Sequence, residues 1–302
     1  MRRGIVLGVL IGVGTLSIAA AGSQGQQGAP KIIRMQSMGV RDNLYLLSGG
    51  GGNTAALIAD TGVVLVDTKL AGWGQSILDA LKMVTDTPVT TVINTHTHGD
   101  HTGGNNDFPT VVDIVAHENT KANMQKMDAF KGTNAKFLPN KTYTAKMSLL
   151  DGRDRIDLYY FGAGHTSGDT IVVFPALRVA HLGDLFPSKA TPFIDTSNGG
   201  SGVAFPETLA KAVAGINDVD RVITGHGAPP PGAVAGRMPT WKDLQEYADF
   251  NRDFLAAVQD AFKAGKSTDE AVAGLKLPER YKEYSMERAK ANVQTIYNEL
   301  KK

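Results

Sequence analysis

The chain has no cysteine among its 302 residues. That absence excludes disulfides, thiolate metal ligands, a cysteine nucleophile and a lipoprotein attachment site. Any metal site must therefore be built from imidazole and carboxylate. The chain also lacks an excess of charge of either sign, since 31 Lys and Arg face 30 Asp and Glu. A near-neutral chain carries no electrostatic footprint for nucleic acid, so no such partner is expected, and it is not a polybasic membrane-surface binder. The apolar stretch at residues 4–18 falls short of the ~20 residues a membrane-spanning helix needs. It follows Arg2 and Arg3 and precedes Ala19-Ala20-Ala21, the pattern of an export signal with a small-residue cleavage site. Residues 1–21 are accordingly expected to be a signal peptide, 22–30 a Gly/Gln-rich flexible linker, and 31–302 the folded domain. The expected location is periplasmic or secreted, with no stable membrane insertion after cleavage; an uncleaved N-terminal anchor is the alternative.

Runs rich in β-branched and apolar residues predict strands at 32–38, 44–47, 55–59 and 63–66, parted by turns such as 49–52 and 60–62. Residues 73–84 place Ile77, Leu78, Leu81 and Val84 on one helical face, and Pro88 ends the segment. Further strands are predicted at 91–93, 111–116, 156–161, 170–174, 178–182 and 221–223. Helices are predicted at 118–127, 205–214, 241–264, 269–275 and 286–300, whereas 131–146 read as polar and irregular. Strands and helices mix in both halves without a repeat. The economical arrangement is an α/β (α+β) architecture of two packed sheets with helices outside. The C-terminal helices could pack on this sandwich or form a subunit contact.

Three of the seven histidines fall within His96-Thr97-His98-Gly99-Asp100-His101, just after the strand that stops at Asn94. In a loop, His96 and His98 can turn toward one metal ion while Asp100 and His101 point toward a second. Imidazole and carboxylate both suit zinc. His165, Asp184 and His226 each follow a predicted strand and each sit beside glycine, which lets backbone turn sharply and other groups come close. Singly, each could be a turn residue bonding its own backbone. Together, four strand ends presenting His or Asp look like one converging site.

In this order and rough spacing, His96-x-His98-x-Asp100-His101, His165, Asp184 and His226 resemble the metallo-β-lactamase-fold hydrolase superfamily, over nearly all of residues 31–302. Val66-Asp67-Thr68 is similar to the family's strand-end aspartate. The resemblance implies a four-layer αβ/βα sandwich with metals at one edge. It implies that His96, His98 and His165 hold a first metal, that Asp100, His101 and His226 hold a second, and that Asp184 bridges them. Two zinc ions per chain are expected, with iron and manganese left open. Asp100 would also act catalytically, orienting a metal-bound hydroxide. His117 and His181 read as hydrogen-bonded structural residues. The glycine run at 49–53 lacks a following Lys-Ser or Lys-Thr and is no phosphate loop; a flexible turn at a cleft edge is expected. Residues 187–202 read equally as a loop over substrate or a plain surface loop. Lys189 within it could meet a substrate carboxylate, although an exposed lysine is the commoner fate.

Asp184 discriminates among the family's branches. An aspartate there is similar to glyoxalase II-like thioesterases, lactonases and RNA-processing nucleases, whereas true β-lactamases usually carry Cys or Ser near that place. The resemblance thus implies a metallohydrolase acting on an ester, lactone, thioester or amide in a small-molecule substrate. Three alternatives stay open: a β-lactamase, an iron-dependent oxygen or sulfur redox enzyme, and a non-catalytic periplasmic metal-binding module.

Overall fold

The computed structural model describes residues 33–38, 43–108, 111, 113–227 and 238–302. The expected signal peptide at 1–21, linker at 22–30 and domain start at residue 31 lie outside the described residues. Among the described residues, no helix is long and apolar enough to cross a membrane.

The first half builds one sheet. Its strands are β1 (Arg34–Ser37), β2 (Leu44–Ser48), β3 (Thr54–Ala59), β4 (Gly62–Val66), β5 (Val89–Ile93), β6 (Asp113–His117) and β7 (Lys141–Tyr143). They lie in chain order across the sheet. Pairing is antiparallel from β1 to β4 and parallel from β4 to β7. The helices α1 (Gly74–Leu81), α2 (Gly99–Thr102) and α3 (Glu118–Met124) fall in this half. The second sheet holds β8 (Lys146–Leu149), β9 (Ile156–Tyr159), β10 (Ile171–Phe174), β11 (Val179–His181) and β12 (Arg221–Ile223), in the order β12-β11-β10-β9-β8. The remaining helices are α4 (Phe205–Gly215), α5 (Trp241–Lys263), α6 (Thr268–Ala273) and α7 (Ala289–Leu300).

Side-chain alternation explains the layers. A strand sends successive residues to opposite faces, and here both faces are apolar. Val64 and Val66 of β4, with Leu46 and Leu57, join Leu158, Val172 and Val179 in the core between the sheets. Val63 and Leu65 face outward with Val92 and pack on Ile77, Ala80 and Leu81 of α1. On the second sheet, Ile171, Val173, Ala180 and Val222 turn outward onto Leu209 and Ala212 of α4 and Leu244 and Tyr247 of α5. Each such buried Val, Leu or Ile side chain contributes about 1.5–3 kcal/mol. The result is the expected helix–sheet–sheet–helix sandwich. The C-terminal helices pack on it: α5, α6 and α7 share a core of Phe254, Val258, Ala271, Val293 and Ile296. A Thr240–Asp243 capping box starts α5.

Two expectations need correction. Residues 131–146 are not irregular throughout, because β7 and the first residue of β8 fall there. Their alternation was hidden because Lys141, Thr142 and Lys146 are exposed and only Tyr143 is buried. The 49–53 turn is pinned rather than free. Buried Lys69 donates through Nζ to Leu47 O at 2.9 Å and Gly52 O at 2.8 Å, Gly52 N donates to Asp100 O, and Asn53 Nδ2 donates to Thr224 O and Gly227 O.

Candidate metal centre

The histidine loop leaves the end of β5, beside the end of β4, where Asp67 adopts a left-handed φ of 64°. Parallel pairing sets the two strand ends side by side, and Asp67 reaches across. Its Oδ1 accepts from Thr95 N at 2.8 Å, and its Oδ2 accepts from Thr95 Oγ1 at 2.7 Å and lies 2.6 Å from His101 Nδ1. From the other sheet, β11 delivers Asp184 and β12 delivers His226. The approach is close: a Cβ at Gly225 would run into Asp184 Oδ1, and one at Gly52 into the His101 ring. Glycine is therefore required at both places.

All seven predicted side chains come together. His96, His98, His165 and Asp184 form one group able to hold a metal ion, and Asp100, His101 and His226 form a second; in each group one donor atom per residue lies within 4.8 Å of the others. Asp184 sits between them. Its Oδ2 is 3.6 Å from His165 Nε2 in the first group and 3.2 Å from His226 Nε2 in the second. Its Oδ1 is 3.4 Å from His101 Nε2. Asp100 Oδ2 lies 3.4 Å from His226 Nε2 and 3.7 Å from His101 Nε2.

The hydrogen bonds around this centre hold a proton on the outer ring nitrogen of four histidines. Thr95 Oγ1 gives its one proton to Asp67, so it must accept from His96 Nδ1, 3.0 Å away. Phe193 O accepts from His165 Nδ1 at 2.7 Å, Asp195 Oδ2 accepts from His98 Nε2 at 2.7 Å, and Asp67 Oδ2 accepts from His101 Nδ1 at 2.6 Å. Each ring thus turns its other nitrogen to the centre. The donor set fits divalent cations on three observations. His96 Nε2 is buried with no hydrogen-bond partner among the described residues, which is costly unless a cation takes its lone pair. His98 Nδ1 and His165 Nε2 face each other at 2.9 Å. Neutral imidazole and carboxylate are standard zinc ligands, and their outer bonds hold the tautomer that ligates.

Electrostatics agrees. Burial holds His96 well below its ordinary value, helped by the nearby histidines, and burial holds His165 down at about 4, so both are neutral near pH 7. Burial alone would raise Asp184, yet the positive charge on His101 keeps it well below the usual carboxylate range. Burial likewise opposes charge on His101, but Asp67 and Asp184 on either side outweigh it and raise it well above its ordinary value. A cation entering the second group therefore competes with a proton on His101.

The two other histidines are structural. His117 donates through Nε2 to Thr144 O, accepts from Asn119 N at the start of α3, and stacks on Tyr160 at 3.8 Å. His181 donates to Asn53 O and accepts from Gly183 N. Lys189 does not face the centre; it pairs with Asp243 at 3.3 Å and Glu246 at 3.0 Å. The 187–202 loop does lie over the metal ligands. Pro187, Ser188, Thr191 and Phe193 line a cleft of about 700 Å³ whose floor holds Asp100, His165, Asp184 and His226. Asp195 and Thr95 escaped the sequence reading. Asp195 lies 97 residues from the histidine it orients, and neither residue belongs to a spacing motif.

The family model of the metallo-beta-lactamase superfamily matches residues 48–250, more than half of the chain. The chain belongs to the metallo-beta-lactamase superfamily. Among curated members of the superfamily, the 2,4-dinitroanisole O-demethylase subunit alpha of Nocardioides sp. (strain JS1661) is 32% identical over 150 residues, covering 48% of this chain and 44% of that protein. The chain thus matches less than half the length of that relative. Metallo-beta-lactamase IND-1 of Chryseobacterium indologenes is 25% identical over 199 residues, covering 62% of this chain and 80% of that one. The solved metallo-beta-lactamase from Pontibacter korlensis shares the fold with a TM-score of 0.60 at 17% identity, covering 73% of this chain and 99% of that structure.

Proposed function

We propose that this superfamily member is a binuclear metallohydrolase, with zinc as the metal, that cleaves an ester, lactone, thioester or amide in a small-molecule substrate. The observation that carries the reading is Asp184, whose carboxylate lies between two adjoining His/Asp groups. His96, His98 and His165 would hold one cation, Asp100, His101 and His226 the other, and Asp184 both. Two such cations would supply Lewis acidity, making a water nucleophilic near neutral pH and polarising a carbonyl oxygen. The chain's own residues do the rest. Thr95, Phe193, Asp195 and Asp67 hold a proton on the outer nitrogen of each ring, so the inner nitrogens would be the ones to ligate, that of His101 after its second proton is displaced. Asp100, partly exposed on the cleft floor, would orient the attacking water through a carboxylate oxygen, accept its proton as the water oxygen bonds to the carbonyl carbon, and return that proton to the departing oxygen, sulfur or nitrogen as its bond to that carbon breaks. The 187–202 loop walls the reaction from bulk solvent on one side. The N-terminal pattern supports export to the periplasm or beyond.

A second reading, β-lactam hydrolysis, is favoured by the likeness to IND-1. A single panel separates the two: turnover of aryl esters, lactones, thioesters, amides, β-lactams and an aryl methyl ether by protein of known metal content. Metal-dependent cleavage of an ester, lactone, thioester or amide supports the first reading. Cleavage of β-lactams alone replaces it with the second, and no turnover by fully metallated protein refutes both.

A further inference from the structure

The outer wall of the cleft comes from the C-terminal segment, beyond residue 250 where the family match ends. Ser285 bridges to Ala190 in parallel. Thr191 N donates to Ser285 O at 2.8 Å, and Ser285 N donates to Lys189 O at 3.1 Å. Arg288 N donates to Thr191 Oγ1 at 3.0 Å. These bonds tie the segment to the loop over the metal ligands. They bring Arg288 to Phe193, with its guanidinium carbon 5.2 Å from the ring centre. Phe193 is 45% exposed, unusual for a large apolar side chain. Its ring stacks on His98 at 5.8 Å between centroids and meets His165 edge-on at 5.7 Å. Phe193, Arg288 and Glu287 line the same cleft as Asp100 and Asp184. Arg280 and Arg252 are bound by aspartates, whereas among the described residues no carboxylate lies within ion-pair distance of Arg288.

We propose that Phe193 and Arg288 form a recognition subsite for the unreactive part of the substrate. A planar apolar body lies against Phe193, and an oxyanion, carboxylate or sulfonate, pairs with Arg288. The planar guanidinium fork matches such an oxyanion in two parallel hydrogen bonds. Contact with the aromatic face holds the guanidinium over the cleft. Glu287 on the same wall opposes an anion, so its charge supplies a control of opposite sign. The subsite rests on the hydrolase reading only for the bond that is cut; binding stands apart from it.

The test compares benzenesulfonate with uncharged methyl phenyl sulfone, binding to zinc-loaded protein by titration calorimetry at low salt. Wild type prefers the sulfonate. Arg288→Gln lowers that preference about fivefold, the size of a favourable exposed ion pair. Glu287→Gln raises it, and Phe193→Leu weakens both ligands by a similar factor. Thermal midpoints matching wild type confirm that the variants fold; a variant that does not is replaced by Arg288→Lys, which keeps the charge, loses the fork and retains only part of the preference. An unchanged preference in Arg288→Gln overturns the proposal. If the panel shows no turnover while the Arg288-dependent preference persists, the hydrolase reading falls and the subsite stands. If hydrolysis proceeds and the preference ignores Arg288, the subsite falls alone.

Discussion

Asp67→Asn changes one atom and should disturb both metal groups. Asp67 is buried and accepts three hydrogen bonds, from Thr95 N, Thr95 Oγ1 and His101 Nδ1. Its φ of 64° suits asparagine as well as aspartate, so the backbone is not at issue. An amide nitrogen at the Oδ1 place would point its protons at the Thr95 N–H. The amide must therefore keep its oxygen there and turn its NH2 toward Thr95 Oγ1 and His101 Nδ1. His101 then has to accept at Nδ1, so the one proton that a neutral ring keeps sits on Nε2, facing the centre. Thr95 Oγ1 can no longer donate to residue 67, and its proton turns to His96 Nδ1, 3.0 Å away. His96 then also presents N–H inward. One substitution thus blocks a ligand in each group. Loss of such an outer partner costs about 10–100-fold in metal affinity. Exchanging charged for neutral acceptors in buried bonds costs about 3 kcal/mol of stability in total. Chelator competition measures the affinities, and nitrogen-15 spectra of the imidazoles read the tautomers directly. A folded Asp67→Asn protein that binds at both groups with wild-type affinity refutes the reasoning.

Three further outcomes follow from the same contacts. Asp195→Asn keeps the turn bonds to Ser197 and Asn198 through Oδ1 but sets an NH2 against His98 Nε2; the first group should weaken about 10–100-fold while the second is spared, as read by stepwise zinc titration. Asp100→Asn should preserve fold and lower kcat by about 10²–10⁴-fold on the best panel substrate; unaltered turnover in metallated protein removes Asp100 from the chemistry. Burial drops Lys69 from its ordinary 10.5 to about 7, against the pull of Asp67. Between those values the unfolded chain holds the proton that the native chain has released. Stability therefore rises with pH from about 7 to 10.5, by roughly 4–5 kcal/mol at most. Urea midpoints across that window should show the rise in wild type and a flatter profile in Lys69→Met; identical slopes contradict the assignment.

The layers were legible because both faces of the central strands are apolar and turn residues part them cleanly. β7 was not: a short edge strand with Lys141 exposed offers no period to read. The metal ligands were legible because His96, His98, Asp100 and His101 cluster just after one strand, His165, Asp184 and His226 each follow another strand beside glycine, and the strand ends converge. Their wiring was only half legible. Asp67 shows as a strand-end aspartate, but Thr95 is an ordinary loop residue until its single proton has been traced. Asp195 reaches the centre, and Arg288 the cleft wall, from distant segments, so nothing in the local pattern marks them. Lys189 invited a substrate contact by its place in the loop, yet Asp243 and Glu246 of α5, more than 50 residues away, claim its charge.

The most direct test of a binuclear centre joined by Asp184 is the metal content of the purified protein after equilibration with trace zinc and removal of loosely bound ions. Two equivalents of zinc per chain are expected, falling in Asp184→Asn at both groups. A single equivalent, or one iron per chain accompanied by dioxygen uptake, would contradict the account.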